Sequence, residues 1–173
     1  IKEAVKNCHL FAGADANVFE FVFPHLEAVS FASGEPIILE NEYNDHVYFI
    51  LSGAVEIVRY IAEEKRIQRL TLLKPGSHFA DFSVLTRSNK SGSAYAYEDA
   101  TLVRLHGSKF IELLQRFPGV CRKLVQDLAE LNAKVESEHE TIPFFVPSHL
   151  RLQREITELI PISSWKRYGI IPL

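Results

Sequence analysis

The sequence predicts a mainly β domain with helices at both ends. Short apolar runs recur about every ten residues between positions 27 and 106, separated by turns rich in Gly, Asn or Ser. Helical spacing of apolar residues appears before this region and again after it. Short strands at this interval are typical of a β-sandwich or a β-barrel.

The N-terminal 26 residues are expected to be helical. Spacing is weakly helical up to Cys8, and an apolar run follows Asp15, a residue that can cap a helix. Pro24 is expected to disturb the last turn because it lacks an amide hydrogen. Period-two alternation and apolar runs then predict strands at 27–31, 37–39, 47–51, 55–60, 67–72, 94–97 and 101–105.

The C-terminal part turns helical again. Ser108 is expected to cap a helix that runs through Gln115 and stops or bends at Pro118. A second helix of about five turns is predicted by one apolar stripe: Val120, Leu124, Leu128, Leu131 and Val135. The tail 139–173 contains four prolines, with room for one short helix at 148–160.

Composition and charge argue against several classes of function. A net charge of −3 gives no reason to expect binding to nucleic acid or an acidic membrane, and no apolar run is long enough for membrane insertion. Cys8 and Cys121 match no metal-ligand spacing, which favours free thiols and a cytoplasmic setting, including the cytosolic part of a larger protein. The sequence carries no signature of an enzyme, and we expect no cofactor or metal.

The most informative stretch is Gly76–Leu85, where a strand runs into a short helix. Amides at a helix start bind anions because they are unsatisfied there. Ala80 and Ser83 are small enough to let a phosphate approach, and Asp81 can accept a hydrogen bond from a ribose hydroxyl. Lys90 or Arg87 could neutralise the phosphate. A buried turn beside a solvated lysine explains the same residues, and both interpretations stay open at this level.

Three further stretches, 33–38, 47–55 and 72–79, together with this turn, resemble the cyclic-nucleotide-binding domain family. The family includes catabolite-activator-type regulators, kinase regulatory subunits and the cytosolic domains of cation channels. The resemblance spans about residues 8–136 and implies an eight-stranded jelly-roll barrel. The implied segments are N-terminal helices at 1–26, a β-roll at 27–106 with a phosphate-binding cassette at 79–93, lid helices at 107–138, and the tail.

The cassette departs from the family pattern. Ala80 stands at a glycine, Asp81 at a glutamate, Ser83 at an alanine and Lys90 at an arginine, followed by the small turn 91–93. Aspartate is one methylene shorter than glutamate, so it reaches a ribose only if the backbone moves inward. Lysine loses the two-pronged grip of arginine on phosphate. Alanine in place of glycine matters only where the backbone φ is positive.

The resemblance implies a site in which the base lies against Ile57 and Leu70, the phosphate lies on the cassette, and Leu128 or Leu131 covers the base. The implied ligand-binding residues are Phe79, Ala80, Asp81, Phe82, Ser83, Lys90, Ser91, Gly92, Ser93, Ile57 and Leu70.

Three interpretations compete. The domain senses cAMP or cGMP with altered or weakened affinity and signals to an attached or associated effector domain through its C-terminal helices. Alternatively, the pocket takes another nucleoside-like ligand, or the fold is a scaffold for protein contacts with its pocket filled by the chain itself. The tail is too short for the winged helix-turn-helix that some family members carry, so no nucleic acid partner is expected.

Overall fold

The computed structural model describes residues 1–42, 44–61, 66–87 and 92–137, with side chains described except at 61, 66 and 130–137. Two short helices and two 3₁₀ turns come first: α1 (Lys2–Lys6), His9–Phe11, α2 (Ala16–Val22) and Phe23–His25. The strands are β1 (Leu26–Phe31), β2 (Pro36–Ile38), β3 (His46–Ser52), β4 (Val55–Ile61), β5 (Arg66–Leu73), β6 (His78–Phe79), β7 (Ser93–Ala96) and β8 (Ala100–His106). The remaining helices are α3 (Asp81–Thr86), α4 (Gly107–Arg116) and α5 (Pro118–Ser137).

The strands form two antiparallel four-stranded sheets, which confirms the predicted mainly β class with eight strands. Their orders are β1-β8-β3-β6 and β2-β7-β4-β5. Non-consecutive neighbours in both sheets mean that the chain crosses between them, as a jelly roll requires. A bulge interrupts the β4–β5 pairing after Ile57, next to the predicted base-binding wall.

The middle of strand β3, residues 47–51, lacks the usual alternation of apolar and polar residues because side chains on both of its faces are buried. Val47 and Phe49 face the helices, whereas Tyr48 and Ile50 face the space between the sheets. We call the first set of buried residues the helix-side core; it also takes in α1, α2, α4 and the first turns of α5. The second set, which lies between the sheets, is the barrel core: Ile38, Tyr48, Ile50, Val55, Phe79, Ala94, Ala96, Ala100 and Leu102.

Two turns contain a glycine because the backbone there has a positive φ. Gly53, between β3 and β4, has φ +77°, and a Cβ there would overlap the backbone oxygen of Asp99. Gly34 has a similar φ of +80° but open space around it. Both positions need left-handed backbone, which glycine adopts without a steric penalty.

The start of α4 differs from the sequence prediction. The cap is His106, whose Nδ1 accepts the Ser108 amide at 3.2 Å, so the expectation that Ser108 caps this helix was wrong. An imidazole one residue before the first helical position can reach that amide, and Ser108 itself is already helical. Pro118 opens α5 at its first position, where the missing amide costs no hydrogen bond.

Part of the apolar stripe of α5 packs as predicted. Val120 and Leu124 are buried in the helix-side core and Leu128 is partly buried against it. The side chains of Leu131 and Val135, and the whole tail 139–173, lie outside the described residues. Within the described part of the chain, no helix is both long enough and apolar enough to cross a membrane.

Candidate functional site

The junction between β6 and α3 has the backbone conformation that the cassette was expected to need. Ala80 has φ +70° and ψ +4°, which is the left-handed region, and it immediately precedes the first residue of α3. In this region an L side chain is crowded by the following carbonyl, which is why glycine is favoured there. The substitution of alanine for the family's glycine is therefore a strained one.

The side chain of Asp81 lies inside this junction and faces a histidine on β6. Its Oδ2 is 3.6 Å from His78 Nε2, and the two side chains are only 14% and 11% exposed. At that distance the contact is an ion pair rather than a short hydrogen bond. The acidic group predicted to accept a ribose hydroxyl therefore has a partner within the chain.

The charges of this pair support each other. Burial alone would lower the pKa of His78, but the Asp81 carboxylate and, more weakly, the charge of Asp127 outweigh it and raise that pKa above its usual range. Burial alone would raise the pKa of Asp81, but the imidazole and the backbone amides of Phe82 and Asp81 lower it on balance. Each partner of the pair therefore favours the charged form of the other.

Three other residues of the predicted cassette have structural contacts. The Ser83 hydroxyl donates to the Ala80 carbonyl at 3.1 Å, which fixes the first turn of α3. The Phe79 ring stacks on Tyr48 in the barrel core, with centroids 5.1 Å apart. Phe82 lies on the other side and packs against the helix-side core. The cassette is thus anchored in both cores.

Further predicted contacts lie on β4 and beside β7. Ile57 and Ala80 are both partly buried against the barrel core, so one predicted base contact and one predicted phosphate contact pack against the same set of buried residues. Gly92 passes close to β4, where a Cβ would lie 2.8 Å from the Val58 backbone oxygen. The Ser93 hydroxyl accepts the amide of Glu40 at 3.0 Å, a contact that supports the end of β2.

The remaining predicted residues are spread more widely. Leu70 is the extra residue of the β4–β5 bulge and is partly exposed. Leu128 packs against the helix-side core, whereas Ile57 and Ala80 pack against the barrel core. Arg87 ends α3 in left-handed backbone with an exposed side chain. Lys90, Ser91 and the side chain of Leu131 lie outside the described residues.

Sequence reasoning missed His78 as the partner of Asp81. The two residues are three apart, which in a helix would suggest a contact, but here a strand and a left-handed turn join them. The turn at Ala80 brings their side chains together, and no residue pattern in the sequence predicted this contact. Across the described ranges, no group of three or more His, Cys, Asp or Glu side chains could hold a metal ion.

The model of the cyclic nucleotide-binding domain family matches residues 28–117, which are 90 of the 173 residues. The chain is 27% identical over 141 residues to the cyclic AMP receptor protein of Thermus thermophilus, covering 81% of this chain and 64% of that protein. It is 30% identical over 117 residues to the potassium/sodium hyperpolarization-activated cyclic nucleotide-gated channel 4 of Oryctolagus cuniculus, covering 68% of this chain and 9% of the channel.

A crystal structure of the Thermus thermophilus catabolite activator protein resembles this fold with a TM-score of 0.68 at 27% identity. The match covers 75% of this chain and 60% of that chain, so both relatives are longer than the part that this chain matches. The chain belongs to the cyclic nucleotide-binding domain family.

Proposed function

We propose that this member of the cyclic nucleotide-binding domain family senses cAMP or cGMP, with weakened affinity, and passes the signal on through its C-terminal helices. It acts as a regulatory domain in the cytoplasm, without catalysis, and works on an attached or associated effector. The observation that carries the proposal is the left-handed turn at Ala80, which joins β6 to α3 at the position where the resemblance places a glycine of the family's phosphate-binding cassette. Amides at a helix start suit an anion, and in this structure those of Asp81 and Phe82 act on the Asp81 carboxylate.

The weakened affinity follows from three features of the cassette. Ala80 is strained, Asp81 is already paired with His78, and lysine replaces the family's arginine at position 90. Loss of one charge-assisted hydrogen bond costs about 1.5–3 kcal/mol, which is about one to two decades in affinity. We therefore expect dissociation constants well above those of a site with the complete family pattern.

Signalling would be a population shift. A nucleotide that binds one arrangement of α5 more tightly than another moves the helix and whatever follows it. The first turns of α5 are fixed by Val120 and Leu124 in the helix-side core, so the movement would be confined to the part beyond them.

Calorimetric titration of the purified domain with cAMP and with cGMP tests the proposal. Saturable heat for either nucleotide supports it, and a folded sample that gives no heat at high micromolar nucleotide contradicts it. Lys90→Arg is expected to tighten binding by about tenfold because the guanidinium grips two phosphate oxygens. Lys74→Arg, at an exposed lysine in the β5–β6 turn, is the matched control. Unchanged affinity of Lys90→Arg would transfer the phosphate role to Arg87.

A second candidate function is a scaffold for protein contacts. Two contacts favour it: Asp81 is held by His78, and the Ser93 hydroxyl is held by the Glu40 amide. In a scaffold these groups are structural, and no nucleotide displaces them. The same titration separates the two functions, because a scaffold gives no saturable heat with either nucleotide.

A further inference from the structure

We infer that His78 controls access to the acidic group of the proposed nucleotide site: its imidazolium holds the Asp81 carboxylate and competes with the ribose hydroxyl for it. The inference rests on the proposed function and adds to it His78, to which the resemblance assigned no role. It also makes nucleotide binding dependent on pH.

The argument begins with the acceptor capacity of the carboxylate. A carboxylate offers two oxygens with about four lone-pair positions. One oxygen of Asp81 faces His78 Nε2 at 3.6 Å, and the amides of Phe82 and Asp81 act on the same carboxylate. These three partners take most of the about four positions, so a ribose hydroxyl has to share the carboxylate with them or displace one of them. The short side chain of Asp81 leaves little room to serve both partners.

The imidazole is fixed in place by its own neighbours. Its ring lies over that of Phe49, with centroids 6.1 Å apart and planes 30° apart. The preceding turn is tied to the 3₁₀ segment by the His9 amide, which donates to the Gly76 carbonyl at 2.9 Å. His78 cannot follow Asp81 toward a bound nucleotide without losing these contacts. The imidazole and a ribose hydroxyl therefore compete for the Asp81 carboxylate.

The other charged groups that act on His78 come from α5. Asp127 favours the imidazolium, and Lys123, which is paired with Asp127, opposes it. His9, on the 3₁₀ segment, packs beside Gly76 at the same end of the strand. When a nucleotide takes Asp81, the imidazolium loses its direct contact with the carboxylate, and its pKa falls. Nucleotide binding and loss of the His78 proton therefore favour each other.

The experiment is a calorimetric titration with cAMP between pH 5.5 and pH 8.5, with circular dichroism as the check of folding. The unmodified domain should bind about tenfold more tightly at the upper pH, because a lost charge-assisted contact is worth at least that factor. His78→Gln should bind at every pH as tightly as the unmodified domain does at pH 8.5. His106→Gln, which removes a second His–Asp contact at 2.9 Å from Asp45, is the matched control and should keep the original pH profile.

The outcomes separate this inference from the proposed function. A pH profile of His78→Gln identical to that of the unmodified domain overturns the inference and leaves the proposed function standing. Absence of saturable heat in all three folded proteins at pH 8.5 overturns both. Should His78→Gln fail to fold, the titration of the His78 ring is followed by NMR in the unmodified domain with and without saturating cAMP. A pKa that does not fall on binding overturns the inference.

Discussion

Replacing Ala80 by glycine is the most direct test of the strained cassette turn. Ala80 has φ +70°, and an L residue in the left-handed region costs about 1–2 kcal/mol compared with ordinary helical backbone. Glycine removes that penalty. We therefore expect Ala80→Gly to leave the free energy of unfolding unchanged or to raise it slightly, although the protein loses a methyl group.

The expected magnitude is the balance of three effects. Relief of strain contributes about 1–2 kcal/mol in favour of glycine. Greater freedom of the unfolded chain costs about 0.4–1 kcal/mol. Loss of the partly buried methyl group costs at most about 0.8 kcal/mol. Relief and losses are of similar size, so the net change is close to zero or mildly stabilising.

Ala96→Gly is the matched control, because Ala96 is also packed in the barrel core but lies in the extended strand β7. It suffers the same two losses with no strain to relieve, and should lose about 1–2 kcal/mol. Urea denaturation of both variants measures the difference, expected to be about 1–2 kcal/mol in favour of Ala80→Gly. If Ala80→Gly is destabilised as much as Ala96→Gly, the left-handed turn stores no strain and our explanation of the weakened cassette fails.

Three further predictions concern the turns, the thiols and the buried ion pair. Gly53→Ala should lower the free energy of unfolding by at least about 1 kcal/mol more than Gly34→Ala. Both substitutions place an alanine in left-handed backbone, but only the Cβ at position 53 also overlaps backbone atoms. Equal losses in urea denaturation would contradict this. Burial raises the pKa values of Cys8 and Cys121 to about 11. Both thiols should therefore react slowly with a thiol reagent at pH 8 and quickly in denaturant. Fast labelling of the folded domain would be inconsistent with the burial of these two side chains. His78→Gln should lower the free energy of unfolding by about 1 kcal/mol at pH 6. Because the pKa of His78 is raised in the folded state, this loss should shrink as the pH rises through the folded pKa. Urea titrations at pH 6 and pH 8.5 test this, and a loss that does not depend on pH would mean that the imidazolium contributes nothing to stability.

The strands were predictable because their signals are local. Alternation along β4 and the apolar run of β3 each follow from which faces are buried, and turn residues such as Gly53 mark where the chain must reverse. Helix ends were less predictable. Ser108 is a good cap by residue type, yet the helix already begins at Gly107, and His106 accepts the amide of Ser108 itself.

In the candidate site, too, some features were predictable from the sequence and others were not. The sequence pointed to the turn at Ala80 and to its acid, because small residues before a short helix suggest an anion site whatever surrounds them. It could not reveal the partner of Asp81, since the His78 contact exists only after the left-handed turn folds β6 against α3.

By itself the sequence determined the mainly β class, seven of the eight strands and the resemblance to the family, because each of these depends on short stretches of residue pattern. Only the tertiary structure decided that φ at Ala80 is positive, that Asp81 is paired, and that Leu128 packs against the helix-side core. The physical reason is that backbone strain, ion pairing and packing depend on which distant groups share a space, and one-dimensional patterns do not contain those distances.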